Sequence, residues 1–166
     1  GMRLLICFFF QEQYQKDIKK FKGKDRDYLL LIENIRLFLI NKIEKYPRYK
    51  ELKEIFFYDY WQFFNATYYG YLINKNTNLL NLSESRMYLS PNMQIMVLLI
   101  IDLMASPNFK ISELGIVRDM FWKIQRMGRI GNSVTTFKRE IGEDDFTSDV
   151  FAYMISSGLI KKEELK

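Results

Sequence analysis

Apolar residues recur every three or four positions along most of this chain, which is the spacing of a helix face rather than of a strand. Residues 3–21 read as a first helix ending near Gly23. The run "DRDYLLLIENIRLFLINKIEKY" reads as a second, stopping before Pro47, because a residue preceding proline is pushed out of the helical conformation. A third is expected from about Tyr49 to Ile73. Its centre, "EIFFYDYWQFFNATYYGYL", is aromatic on nearly every side and is expected to be buried all round. Asn74 to Ser83 reads as a loop. "ESRMYLSPNMQIMVLLIIDLMA" is helical on both sides of Pro91, which cannot donate a backbone hydrogen bond, so a break or kink is expected near Ser90. Ser112 is the expected cap of a long helix from about Glu113 to Gly142. Thr147 or Ser148 should cap a last one that Gly158 stops. No strand-like alternation of useful length, internal repeat or interdomain linker interrupts the pattern. The expectation is a single all-α domain over residues 1–166, a bundle of about six or seven helices.

Composition narrows the chemistry. The chain has 166 residues, 48% of them hydrophobic, enough for a real core. It has no histidine and one cysteine, Cys7. That removes His-based triads, His-containing zinc sites and any internal disulfide, and it fits a reduced, cytoplasmic setting. Chemistry, if any, rests on carboxylates, amides, hydroxyls, Arg, Lys and a hard ion such as Mg²⁺. The net charge of +5 suits an anionic ligand or nucleic acid. No basic run interleaves with aromatics as a strand-binding groove requires, so nucleic acid ranks last. "KDIKKFKGKDR" reads as a solvated helix end. "MVLLIIDLMA" is too short to span a membrane and is interrupted by Asp102. "MRLLICFFF" lacks the cleavage site of a signal peptide, and Gly1 ahead of Met2 reads as a remnant of cloning.

One helix face carries a candidate site. Asn132, Thr136 and Glu140 are spaced i, i+4, i+8 and fall within roughly 80° of one another on a helix. Ile130, Val134, Phe137 and Ile141 form a separate apolar stripe on about the opposite side. Read from spacing alone, the apolar stripe packs and the polar one meets water. Read as chemistry, an amide, a hydroxyl and a carboxylate supply three oxygens to a divalent cation whose remaining positions phosphate oxygens would fill.

"NSVTTFKRE" resembles the second metal-binding motif of class I terpene synthases, N-D-x-x-S/T-x-x-x-E, and "GEDDF…V" resembles the acidic turn that follows it in bacterial members. Arg86, upstream in a helix expected to break at Ser90 and Pro91, is similar to the diphosphate-sensing arginine of those members. The resemblance covers about residues 55–158. It implies part of the class I terpenoid synthase fold, with Asn132, Thr136 and Glu140 as Mg²⁺ ligands and Arg86 and Arg139 as diphosphate contacts. The implied ligand is an isoprenoid diphosphate, which such a carbon–oxygen lyase ionises. Ser133 stands where the family has Asp, and Leu89 and Ser90 where it has Asp and Gly. The family's Asp-rich motif and C-terminal Arg-Tyr pair find no match.

The missing carboxylates would come from a partner chain, a homodimer included, or from a residue such as Asp59. The aromatic helix around Asp59 offers Tyr58, Tyr60, Trp61, Phe64 and Tyr68, either as core or as the lining of a carbocation cavity. A buried Asp59 needs a partner, a basic side chain or a metal. Two functions follow: a divergent, half-size synthase-like protein, or a non-catalytic helical binding module that has lost the reaction.

Overall fold

A computed structural model describes residues 21–165, and among these every regular element is helical. The helix expected over residues 3–21 falls, but for its last position, outside them. Six α-helices follow in order: α1 (Gly23–Ile43), α2 (Tyr49–Lys75), the single turn α3 (Leu82–Glu84), α4 (Ile95–Ala105), α5 (Leu114–Gly142) and α6 (Asp149–Ser156). The protein is an all-α helical bundle.

The break at proline is present and has a defined shape. From α3 the chain widens into a π-turn (Ser85–Leu89), tightens into a 3₁₀-turn (Ser90–Met93), and passes through Gln94 at φ 58° before α4 begins. The two halves meet at a bend of 40°. Pro91 sits at the start of the 3₁₀-turn, and the Ser90 hydroxyl donates to the Arg86 carbonyl at 3.0 Å. At the other end of the chain, Ser148 caps α6 through a 3.4 Å bond from the Val150 N–H, and Gly158, at φ 69°, lies just past its end. Ser112 does not cap α5. It lies inside a 3₁₀-turn (Ile111–Glu113) that feeds the helix, and Glu113 takes the cap position without a side-chain bond.

Two apolar clusters form the core. α4 is the axis of the first: Met96, Val97, Leu99, Ile100, Leu103 and Met104 pack on Leu52 and Phe56 of α2 and on Ile43 of α1. The second joins Ile73, Leu80 and Leu89 to Phe151 and Ala152 of α6 and to Leu165. Two glycines allow close approaches between elements. A Cβ on Gly70 would stand 3.2 Å from the Thr147 methyl, and one on Gly128 would stand 3.2 Å from Ile95 Cδ1.

Two expectations about faces do not hold. α2 is not buried all round: Phe56 and Phe64 are inside, whereas Tyr58, Trp61 and Tyr71 are exposed. The larger reversal is in α5. Ile130, Val134 and Ile141 face outward, and only Phe137 of that stripe packs, against Phe151 at 5.0 Å. The buried side chains of α5 are Gln125, Arg129, Ser133 and Glu140.

The reason is hydrogen-bond supply. The first N–H groups of any helix lack a partner within it. Gln125 Oε1 accepts from the Met96 N–H at the start of α4 at 3.2 Å. Ser133 Oγ accepts from the Asp149 N–H at the start of α6, and its carbonyl accepts from the Ser148 hydroxyl, both at 3.4 Å. Arg129 donates to the Thr147 carbonyl and lies 3.6 Å from Asp149, which in turn accepts from the Ser85 hydroxyl at 2.6 Å. α5 therefore turns its polar side inward because two other helices begin against it.

Arg129 is the hub of this junction, and it is almost fully buried. Arg129→Met should lower stability by about 3 kcal/mol, the low end for breaking a buried pair, because Asp149 keeps Ser85. Arg129→Met combined with Asp149→Asn should recover part of that loss. Urea unfolding of wild type, both single variants and the double measures the coupling, and a double-variant loss equal to the sum of the two single losses would show that the pair is not coupled.

Candidate functional site

Asn132, Thr136 and Glu140 do not form a solvent-facing stripe: the first two are half-buried and the third is buried. Glu140 is 5% exposed, and its Oε1 accepts from the Thr136 hydroxyl at 2.5 Å. The same hydroxyl lies 2.7 Å from the Asn132 carbonyl. A hydroxyl has one proton, so it cannot donate fully to both acceptors. Glu140 Oε2 is buried with no hydrogen-bond partner, and the Asn132 carboxamide makes no side-chain hydrogen bond among the described residues. This stripe is thus short of positive charge or donors, and a cation beside Glu140 Oε2 would satisfy it. Glu140 is the single acid of the stripe. Among the described residues no three Asp, Glu, Cys or His side chains come together as a metal group. Arg139 points away, exposed, with Glu143 3.6 Å from it.

Arg86 lies elsewhere. It lines a cavity of about 480 Å³ between the π-turn, α5 and α6. Arg126, Ser90, Ser133 and Asp149 are the other polar residues there, and Leu82, Ile130, Val134, Val150 and Tyr153 make the apolar wall. Glu140, Asn132 and Thr136 do not line it. Arg86 and Arg126 form no ion pair among the described residues, whereas Asp149 is already held by Ser85 and Arg129. Arg126 escapes detection from sequence alone, since a lone arginine on an amphipathic helix carries no signal. Its spacing of four from Ile130 and seven from Ser133 becomes meaningful only once Arg86 is placed opposite.

Asp59 has a basic partner. Arg118 of α5 grips it with two hydrogen bonds, 2.6 and 2.9 Å, in the planar fork geometry that guanidinium and carboxylate share. The pair borders a second cavity of about 380 Å³, lined also by Tyr58, Tyr88, Trp122 and Gln125, whose Nε2 is buried and unpartnered. Tyr60 lines a third, beside Arg36 and Phe56, and burial pushes its hydroxyl up to about 12 although Arg36 pulls the other way. Trp61, Phe64 and Tyr68 line none of these three cavities. The aromatics expected along one cavity are instead distributed round α2, with Tyr60 stacked on Phe56 at 5.6 Å and edge-on to Phe64 at 5.0 Å.

These features describe an all-α helical bundle with three cavities among the described residues, one of them lined by Arg86 and Arg126. No family model matches the chain, no curated protein matches it, and no solved structure does. No single helix among the described residues is long and apolar enough to cross a membrane. α3 to α4 reach that length only as a bent pair.

The acidic turn after α5 gives a pH test. Burial raises the Asp145 carboxyl, but hydrogen bonds from Asn74 (3.0 Å) and the Thr147 N–H (3.1 Å), aided by Arg129, outweigh it and hold the group below its usual range. A depressed folded-state value contributes stability above the unfolded value, and that contribution is lost as pH falls through the folded one. Asp145→Asn should therefore be less stable than wild type at neutral pH, with the gap closing in acid. Urea midpoints at a series of pH values from neutral to strongly acidic check this, and a gap independent of pH would contradict it.

Proposed function

We propose that this chain is a non-catalytic helical binding module that holds an amphiphilic anion of the isoprenoid diphosphate class in the Arg86–Arg126 cavity. The observation that supports it is that Arg86 and Arg126, neither in an ion pair among the described residues, line one cavity whose wall is otherwise mainly apolar. A guanidinium fork suits phosphate oxygens, and an apolar wall beside it suits a hydrocarbon tail. The net charge of +5 adds long-range attraction for an anion.

A second reading keeps the synthase-like resemblance and rests on the orphaned Glu140 Oε2. In it, Asn132, Thr136 and Glu140 hold Mg²⁺, whose charge would help draw off a departing diphosphate. The protein's own side chains would orient that anion through Arg86 and shelter it from water. Arg86 and Glu140 line no common cavity, and a second acidic wall would have to come from another chain, so the first reading is preferred.

Calorimetric titration with geranyl diphosphate, with and without Mg²⁺, separates the two. The module reading expects binding without metal, unaffected by Glu140→Ala and weakened roughly 10- to 100-fold by Arg86→Ala or Arg126→Ala, as for loss of one charged hydrogen bond. The synthase-like reading expects binding that needs Mg²⁺ and disappears in Glu140→Ala. Absence of binding in every arm would sink both.

A further inference from the structure

The outward side of α5 carries an exposed apolar stripe, flanked by Asp119 and Lys138, and its spacing is regular. Met120, Met127, Val134 and Ile141 recur every seven residues, and Ile116, Lys123, Ile130 and Phe137 fall three residues after or four before them. This is the a/d pattern of a coiled coil, sustained over more than three heptads with Lys123 as the one polar member. All eight lie within an arc of roughly 100°. Ile116 is 76% exposed, Met127 70% and Val134 65%. Phe137 alone is committed inward, to Phe151. A two-position seam is narrower than the face a helix needs to dock on a globular core, and it is what a second helix of similar length covers.

We infer that α5 pairs with α5 of a second copy, antiparallel, about a two-fold axis near Gly128 and Arg129. Three observations select that occupant. The first is length. The other exposed apolar seam, Tyr28, Leu31, Ile35 and Phe38 of α1, covers less than half of the α5 stripe, whereas α5 matches itself end to end.

The second is charge. In a parallel pair Lys123 would face the partner's Lys123 across the seam. In the antiparallel pair a positions meet d positions, so Ile116 faces the partner's Ile141, Met120 the partner's Phe137, and Met127 the partner's Ile130. Lys123 then meets the partner's Val134 and extends past it to water while Asp119 holds its ammonium at 2.7 Å. The third is area. Six exposed side chains at roughly 60–120 Å² of apolar surface each supply on the order of 600 Å² per copy. That approaches the ~800 Å² per partner of a standard interface.

The pairing also sets the second copy against Ile130 and Val134, which line the Arg86–Arg126 cavity. It rests on the outer face of α5 alone and does not depend on what that cavity binds.

The test is mass and cross-linking on the full chain. Sedimentation equilibrium of wild type at tens of micromolar should give twice the 20.1 kDa of one chain, and Met127→Glu, at an exposed position, should give one copy. In a Cys7→Ser background, Ile116→Cys and Ile141→Cys should each fail to form a disulfide alone, since like ends lie about 37 Å apart in the antiparallel pair. Mixed and oxidised, the two variants should cross-link. Self-cross-linking of either variant would mean a parallel pair. A monomeric wild type would overturn the proposal, as would a dimer that survives Met127→Glu. Loss of the dimer in Phe38→Glu, with no cross-link through α5, would assign the seam to α1 instead and overturn it as well.

Discussion

The structure turns on the starts of two helices that bring little of their own to satisfy them. α4 begins after a left-handed residue, Gln94, that provides no cap, and α6 has only Ser148. Both starts are brought against α5, where Gln125 accepts from the Met96 N–H and Ser133 from the Asp149 N–H, while Arg129 between them donates to the Thr147 carbonyl. An unpaired buried N–H costs about as much as a buried apolar side chain returns. Orienting α5 the other way would bury Ile130, Val134 and Ile141 but would leave these groups unpaired and put Arg129 and Glu140 on the surface. The observed choice keeps the helix starts paired and leaves an apolar face outside.

That constraint explains what could and could not be read from the sequence. Helix limits set by one residue's own backbone were legible. Pro91 breaks its helix, Ser148 caps α6 and Gly158 lies at its end because each effect acts within a few positions. Which face of α5 is buried was not legible by the same means. Hydrophobic spacing assumes that the apolar side has the most to gain, and it holds no record of donors on other helices. The signal was present only as a coincidence, Gln125, Arg129 and Ser133 in register on the wrong side. Ser112 misled for a related reason, since the chain made a 3₁₀-turn first and moved the cap by one residue.

The candidate site was legible in its residues but not in their grouping. Asn132, Thr136 and Glu140 do share a face, and Arg86 does precede a break, as their spacing required. What spacing could not supply is the direction of each relative to the other. α5 carries Glu140 toward the interior, and Arg86 lines a different cavity together with Arg126. Of the arginines in the described bundle, Arg36, Arg48, Arg118, Arg129 and Arg139 are paired with Glu33, Glu51, Asp59, Asp149 and Glu143. Arg86 and Arg126 form no ion pair among the described residues, although Asp149, held by Ser85 and Arg129, lines the same cavity, and two such cations beside an apolar wall are a more selective feature than three polar residues in line.

The two faces of α5 are linked through that cavity. Its guanidinium groups lie at the edge where the polar inward side gives way to the apolar outward one, and Ile130 and Val134 belong to both wall and seam. A helix that must point its polar residues inward necessarily presents its remaining residues to whatever lies outside. Had those residues been charged, the bundle would stand alone with a shallow basic pocket. Because they are methionine, isoleucine and valine at seven-residue intervals, the same rotation that satisfies α4 and α6 also creates a surface suited to another helix and makes one wall of the pocket from it. Internal hydrogen-bond supply and external recognition are in this sense set by a single angle, the rotation of α5 about its own axis.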